Sequence, residues 1–498
     1  MAQLITPADS QVDSGPREQF GQPLPKSHGH LMAPNELTPG ITAEEYATRR
    51  RKLIEKLPTN SLVIVFGSRL QFKATHVFYP FHQDSNFLYL TGFNEPDAVL
   101  VMEKSEHLAD GYRSTLFALP KDPEVEKWEG PRTGLEGIRT WFGMDQAFTY
   151  HSFEQKLTQL LQEYFVGQQG ERAGYASQPL QSLLRTIKNP LYTTEDTMPG
   201  VYVDIPDDQL VYRSPQAMVK QLLDQYRLIP HKVSPFIHEL RLIKSPAELA
   251  VLKQSSDISN EAFRRTMQES TQSTTEHQIM TTFTYHCCRQ GAEELAYVPV
   301  VAGGSNALAL HYVRNDQRVS PQDFVLLDGG ASYRHYASDV TRTWPIGGTF
   351  SPAQADLYQA VLNVQKASIA QCTEATRVSL NYIHFRSAQM LRQELLNLGW
   401  DVSQKEVDSL LYPHHVGHYL GIDVHDTLDV SRNLELQAGM VVTIEPGVYV
   451  PFDDRFSSHF QGLGIRIEDN IEIGKTEPHN LNESAPKEIH EIESVCRG

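Results

Sequence analysis

Four short segments in the C-terminal half hold the residues best able to do chemistry. Phe324-Val-Leu-Leu-Asp-Gly-Gly330 reads as a buried strand ending on Asp328 beside two glycines, and eleven residues after that acid Ser338-Asp-Val-Thr-Arg-Thr343 supplies Asp339. The spacing suits a hairpin that returns the second aspartate next to the first. Taken alone, such a pair reads more readily as two turn aspartates. The third segment, Pro413-His-His-Val-Gly-His-Tyr-Leu-Gly-Ile-Asp-Val-His425, sets imidazoles among apolar residues and glycines, where a single histidine would pass for a satisfied core residue. The fourth supplies two strands: Met440-Val-Val-Thr-Ile-Glu-Pro-Gly447 carries Glu445 into an apolar run, and Gly464-Ile-Arg-Ile-Glu-Asp469 does the same with Glu468. A period of two in that last strand sorts Arg466 and Glu468 onto one face and Ile465 and Ile467 onto the other.

Carboxylates at the centre of apolar strands are costly to bury unless cations pair with them. Metal ions are the simplest partners. Asp328, Asp339, Glu445 and Glu468 bring four negative charges, which two divalent ions neutralise, and His418 adds a neutral nitrogen. An oxygen-rich set with one imidazole suits Mn²⁺ first, with Co²⁺ or Zn²⁺ as alternatives, and makes a poor thiolate-type zinc site.

The elements that must position these groups point to an α/β (α+β) chain. With 498 residues there is room for two ordinary domains or one large one. Residues 1–40 are rich in Pro, Gly, Ser and His without periodicity and read as an extended arm. Residues 41–234 mix strands, such as Ser61-Leu-Val-Ile-Val-Phe66 and Ala98-Val-Leu-Val-Met102, with helices. A second domain over 235–498 opens with Ser245-Pro-Ala-Glu248, a capping-box signature with proline at the first helical position, and Ser351-Pro-Ala-Gln354 repeats the device. No internal repeat is evident, and Gly474-Lys-Thr476 lacks the upstream glycine of a phosphate loop.

A net charge of −17 and a pI near 5.6 speak against a nucleic-acid binder. Cys287, Cys288, Cys372 and Cys496 read as free thiols in a reducing compartment. No apolar run is long enough to span a membrane. The stretch before Gly40 sets Asp9, Asp13, Glu18 and Glu36 against Arg17 and Lys26, the wrong balance for a mitochondrial presequence.

The metal motifs, together with Pro80-Phe-His-Gln-Asp-Ser-Asn-Phe-Leu-Tyr-Leu-Thr-Gly-Phe-Asn-Glu-Pro96 and Trp128-Glu-Gly-Pro-Arg132, resemble the aminopeptidase P (Xaa-Pro aminopeptidase) branch of the creatinase, prolidase and methionine aminopeptidase superfamily. Gly21-Gln-Pro-Leu-Pro25 and Leu37-Thr-Pro-Gly40 are similar to the arm of its organellar forms, of the eukaryotic Xaa-Pro aminopeptidase 3 type. The resemblance implies a creatinase-like N-terminal domain followed by a pita-bread catalytic domain. Asp328, Asp339, His418, Glu445 and Glu468 then match the metal ligands, and Tyr297, His311 and His425 match positions lining the substrate site. His414 and Arg466 match outer or substrate-side positions. His415 departs from the pattern, because relatives commonly carry glycine there.

The implied reaction is hydrolysis of the bond between an N-terminal residue and a following proline by a metal-bridged hydroxide. Glu445 would shuttle the proton, while His311 and His425 would either hydrogen-bond the carbonyl oxygen or simply buttress the ligands. The implied partners are peptides with proline second and another copy of the chain in a homodimer; the implied location is the mitochondrion, with the cytoplasm beside it. A prolidase confined to dipeptides is the nearest alternative, and a pita-bread binding or signalling module without catalysis is a more distant one. No Gly-x-Ser-x-Gly elbow or His-Glu-x-x-His helix supports another peptidase chemistry.

Overall fold

The structure, a computed structural model, describes residues 20–163, 199–205 and 214–497, which fall into two compact units meeting in sequence at Lys232 and Val233. Residues 1–19 of the arm lie outside the described residues.

The first unit is built on five strands: β1 Leu62–Phe66, β2 Val99–Lys104, β3 Tyr112–Ala118, β4 Gln146–Thr149 and β5 Val201–Val203, in spatial order β4-β3-β2-β1-β5. The three central strands are antiparallel to one another and the two edges run parallel to their neighbours. Every residue of β1 is buried, as its unbroken apolar run requires. The described part of the arm is tied to this unit, with Gln22 donating to Gly92 O at 3.0 Å and accepting from Asn94 N at 2.8 Å.

In the second unit α1 Pro246–Ser270 and α2 Pro352–Ile369 start where the capping signatures place them. Ser245 and Ser351 accept from the third-residue amides, and Glu248 and Gln354 reach back to the cap amides. These helices pack over a sheet of β6 Val300–Gly303, β7 Phe324–Gly329 and β8 Val340–Pro345, in the order β6-β7-β8 and antiparallel throughout. The expected hairpin is present. Its turn falls at Arg334 and His335, both with positive φ of 53° and 66°, the backbone a two-residue hairpin favours. Close approach of its two arms demands Gly330, since a Cβ there would lie 1.6 Å from Ser338 O.

The remaining two strands differ from expectation. The run 440–447 is cut into β9 Val441–Ile444 and β10 Gly447–Tyr449, and the run 464–469 into β11 Gly464–Arg466 and β12, which continues as Asp469–Glu472. β9 pairs with β12 in one sheet and β10 with β11 in another. The cause at the first break is Pro446, which has no N–H for a ladder. At the second, Glu468 leaves the strand to bridge Thr341 of β8, its N–H donating to Thr341 O at 3.0 Å. The facing read from the period of two holds across the break, because Ile465 and Ile467 enter the apolar core while Arg466 and Glu468 share a hydroxyl on the other side.

Candidate metal centre

Both glutamates therefore sit where the chain passes from one small sheet to the next. At such a junction the side chain is placed by two sheets at once, and its backbone is pinned from outside: Glu445 N donates to Val416 O at 2.8 Å. The aspartates come from strand parity. Asp328 is paired with Thr341, so Asp328, Thr341 and Asp339, two residues earlier on the return arm, face the same way.

Onto that face converge all five groups matched to metal ligands. His418 Nε2 lies 3.3 Å from Asp339 Oδ2 and 3.9 Å from Glu445 Oε1, and the donor atoms of Asp339, His418 and Glu468 all fall within 4.8 Å of one another. Nδ1 of His418 faces Tyr419 O at 3.1 Å, a carbonyl to which it can donate, and this turns Nε2 toward the carboxylates. Thr341 Oγ1 donates to Glu468 at 2.7 Å, and Arg466 reaches Asp328 at 2.6 Å and Tyr449 at 2.7 Å.

Charge is out of balance here. Burial, followed by repulsion from the other carboxylates, pushes Glu468 well above its ordinary range, and burial lifts Asp328 and takes Glu445 up to about 7. Burial also opposes the charged forms of Asp339 and His418, yet their mutual contact more than offsets it, lowering the first and raising the second. The Tyr297 hydroxyl, with one proton to give, is in contact with both Asp328 and Asp339. Four close carboxylates answered by Arg466, one imidazole and one hydroxyl are a donor set that fits divalent cations.

The substrate-side residues divide. His425 lies beside the cluster, its ring edge-on to His418 with centroids 4.5 Å apart, and partial burial, then the His418 charge, lower its pKa. His425 and His311 are both exposed. Tyr297 and Arg466, by contrast, are engaged with the acids themselves, and His414 bonds Tyr449 at 2.9 Å with Glu445 3.8 Å away. Burial pushes His414 down to about 3, so it is a neutral ring. His415, the departure from pattern, sets Nδ1 2.7 Å from Gly417 O and Nε2 3.0 Å from Asn381 Oδ1, and stacks on His384 at 4.5 Å.

Three contributors do not stand out in the sequence. Tyr449 joins Arg466 to His414, and only its place two residues past Gly447 hints at a return to the site. Thr341 is legible from parity with Asp339. Glu276, fully buried, accepts from Gly303 N, Asn306, Tyr312 and Gln317 N at 2.8–2.9 Å and so holds the segment that carries His311; nothing local marks it.

The chain is similar to known proteins over nearly its whole length. The model of metallopeptidase family M24 matches residues 250–475, and that of the aminopeptidase P N-terminal domain matches 46–165. Xaa-Pro aminopeptidase 3 of Mus musculus is 37% identical over 495 residues, 97% of this chain and 91% of that protein. Intermediate cleaving peptidase 55, mitochondrial, of Arabidopsis thaliana is 36% identical over 476 residues, covering 96% and 87%. The crystal structure of Icp55 from Saccharomyces cerevisiae superposes with a TM-score of 0.79 at 37% identity, covering 93% of this chain and 99% of that one. The fold is thus the expected one, a mixed helix-and-sheet N-terminal domain followed by a pita-bread domain. The chain belongs to the Xaa-Pro aminopeptidase (aminopeptidase P) family within metallopeptidase family M24.

Proposed function

We propose that the chain removes the N-terminal residue from peptides whose second residue is proline, using two divalent ions held by Asp328, Asp339, His418, Glu445 and Glu468. The observation that carries this is the convergence of two buried carboxylates, Asp339 and Glu468, two half-buried ones, Asp328 and Glu445, and one imidazole, with too little positive charge to balance them. When bound, the ions supply Lewis acidity and a water acidic enough to attack at neutral pH. Mn²⁺ is the proposed metal from the oxygen-rich donors; zinc-substituted aminopeptidase P of E. coli crystallised with product keeps Zn²⁺ as the alternative, beside Co²⁺.

The protein's own groups do the rest. Glu445, with a carboxyl poised at about 7, takes a proton from the attacking water and returns it to the proline nitrogen, which leaves far better as a neutral amine. His425 and His311 hydrogen-bond the carbonyl oxygen as charge builds on it. Arg466 and Tyr297 hold Asp328 and Asp339 in place, and His414 supports Glu445 through its packing on Tyr449. Peptide binding is supported by yeast Icp55 crystallised with the apstatin inhibitor.

The test is hydrolysis of Xaa-Pro-Xaa against Xaa-Pro. Chelation should abolish cleavage of the tripeptide and Mn²⁺ should restore it; cleavage confined to the dipeptide would make the chain a prolidase. In organisation we place the arm at 1–40, the N-terminal domain at 41–234 and the catalytic domain at 235–498, supported by the family matches at 46–165 and 250–475. Mitochondria are the proposed location, supported by the name of the Arabidopsis relative and checked by fractionation.

A homodimer is proposed through the hairpin of Phe72–Ala74 and Val77–Phe78. All of residues 71–80 are exposed, Phe72 by 58% and Phe78 by 55%, although a two-stranded hairpin is only marginally stable in water without a partner surface. It carries Lys73 and His76 and no acid, which complements a second copy of a chain with net charge −17. In sedimentation the wild type should be a dimer, and Phe72→Ser with Phe78→Ser a monomer. A monomeric wild type would leave the hairpin to another occupant and end the proposal.

A further inference from the structure

His425 stands on a segment without helix or strand; between Gly421 and Asp426 its backbone is held by Gly421 N to Asp423 O at 3.0 Å, Asp426 N to Tyr419 O at 2.9 Å and, at the segment's start, Ala337 N to Gly421 O at 2.9 Å, which leaves the path around His425 itself to be set by side chains. Thr427, two residues on, has φ of 51°, left-handed backbone that a β-branched side chain adopts only when its surroundings impose it. Something outside the segment must therefore fix its path.

The helix Ser234–Leu242 and the residues just after it supply that constraint. Three basic side chains three residues apart, the imidazole of His238 and the cations Arg241 and Lys244, meet three aspartates also three apart, Asp423, Asp426 and Asp429. His238 Nδ1 lies 3.0 Å from Asp429 Oδ2, Arg241 bonds Asp423 at 2.6 Å and also Asp426, and Lys244 Nζ lies 3.0 Å from Asp426 Oδ2. The central members are sealed, with Arg241 2% and Asp426 1% exposed at the side chain. The segment wraps this pair so closely that a Cβ on Gly421 would fall 2.4 Å from Asp426 Oδ2 and 3.1 Å from Lys244 Cε. Burial alone would push the Asp426 carboxyl up, and the Arg241 and Lys244 charges more than offset it and hold it below the ordinary range.

Well-packed apolar side chains would stabilise such a junction at least as well as ions do. What matched charges at a repeated spacing add is register, since a slip of one residue would leave buried charges unpaired. We infer that this ionic ladder is the positioning device for His425, setting the imidazole against the substrate carbonyl from a helix outside the metal cluster. The inference rests on the role proposed above for His425, and Arg241, Lys244 and Asp426 are positioning residues rather than catalytic ones.

A double-mutant cycle on the metal-loaded full chain tests it. His425→Ala should lower kcat for a Xaa-Pro-Xaa peptide by about 10²-fold. Asp426→Asn should lower kcat by about 10- to 100-fold with KM nearly unchanged, and should cause almost no further loss in the His425→Ala background. Losses that multiply would overturn the inference. Should Asp426→Asn fail to fold, Asp423→Asn takes its place, since that side chain is 41% exposed and removes only one rung; its smaller loss must vanish in the same background. Amide hydrogen exchange reads the ladder apart from activity: in Asp423→Asn the peptide over 419–430 should exchange about tenfold faster while the helix 246–270 is unchanged. Unaltered exchange would sink the positioning role even if the peptidase reading stands. An inactive wild type, or a fully active His425→Ala, would instead refute the reading it rests on.

Discussion

Glu445→Ala, assayed with Mn²⁺ present, should lose about 10³-fold or more of the turnover of a Xaa-Pro-Xaa peptide, because one change removes a proposed metal ligand and the group proposed to carry the proton. The fold should survive it. Among the described residues the Glu445 side chain makes no hydrogen bond; His414 Nδ1 lies 3.8 Å and His418 Nε2 3.9 Å away, and its backbone bond to Val416 is untouched by the substitution. Removing a carboxyl that burial has already lifted to about 7 also relieves repulsion among the acids. Thermal unfolding should accordingly stay within a few degrees of wild type. Residual turnover above a few per cent would show that another group carries the proton.

The largest effect on stability is expected from Asp469→Ala. Directly behind the ligand face, Arg342 and Asp469 form a pair with both side chains wholly buried, joined at 2.6 Å, and Asp469 also accepts from Lys487, Gln365 and Asn480 at 2.5, 2.8 and 2.9 Å. Arg342 spends its other donors on carbonyls of Glu468, Thr341, Pro486 and Ala485. The aspartate's loss strands a guanidinium and an ammonium without counter-charge and should cost about 3–5 kcal/mol, a large part of a domain's net stability. Chemical denaturation followed by the fluorescence of Trp344, fully buried in β8 next to this network, would read it. The double variant Arg342→Met with Asp469→Leu should recover part of the loss, since it removes the buried guanidinium together with its counter-charge and leaves only the Lys487 ammonium, whose side chain is 15% exposed. A single variant as stable as wild type would mean that the pair contributes nothing net.

Opposite faces of one strand thus serve opposite needs. Asp339, Thr341 and Thr343 look toward the ligand side, where negative charge is left unbalanced for cations; Arg342 looks toward the back, where it is balanced by the protein itself. That alternation is written in Ser338-Asp-Val-Thr-Arg-Thr343 and is legible from those six residues alone. The partners of each face are not, because Glu468, Asp469 and Arg466 arrive from a segment over 120 residues further along.

What the amino-acid sequence alone determined is everything governed by near neighbours: the capped starts of α1 and α2, the hairpin returning Asp339, the types of the five donor residues, and which side of the 464–469 run meets the core. Only tertiary structure decided that this run breaks at Glu468, that Tyr297 sits between two aspartates, that Tyr449 links Arg466 to His414, and that the segment carrying His425 is tethered to a distant helix. The reason is range. Caps, turns and side-chain alternation are set by atoms a few residues apart, whereas the path of a strand at a sheet junction and the partner of a buried charge depend on which remote segment offers a free backbone group or an opposite charge at that point in space.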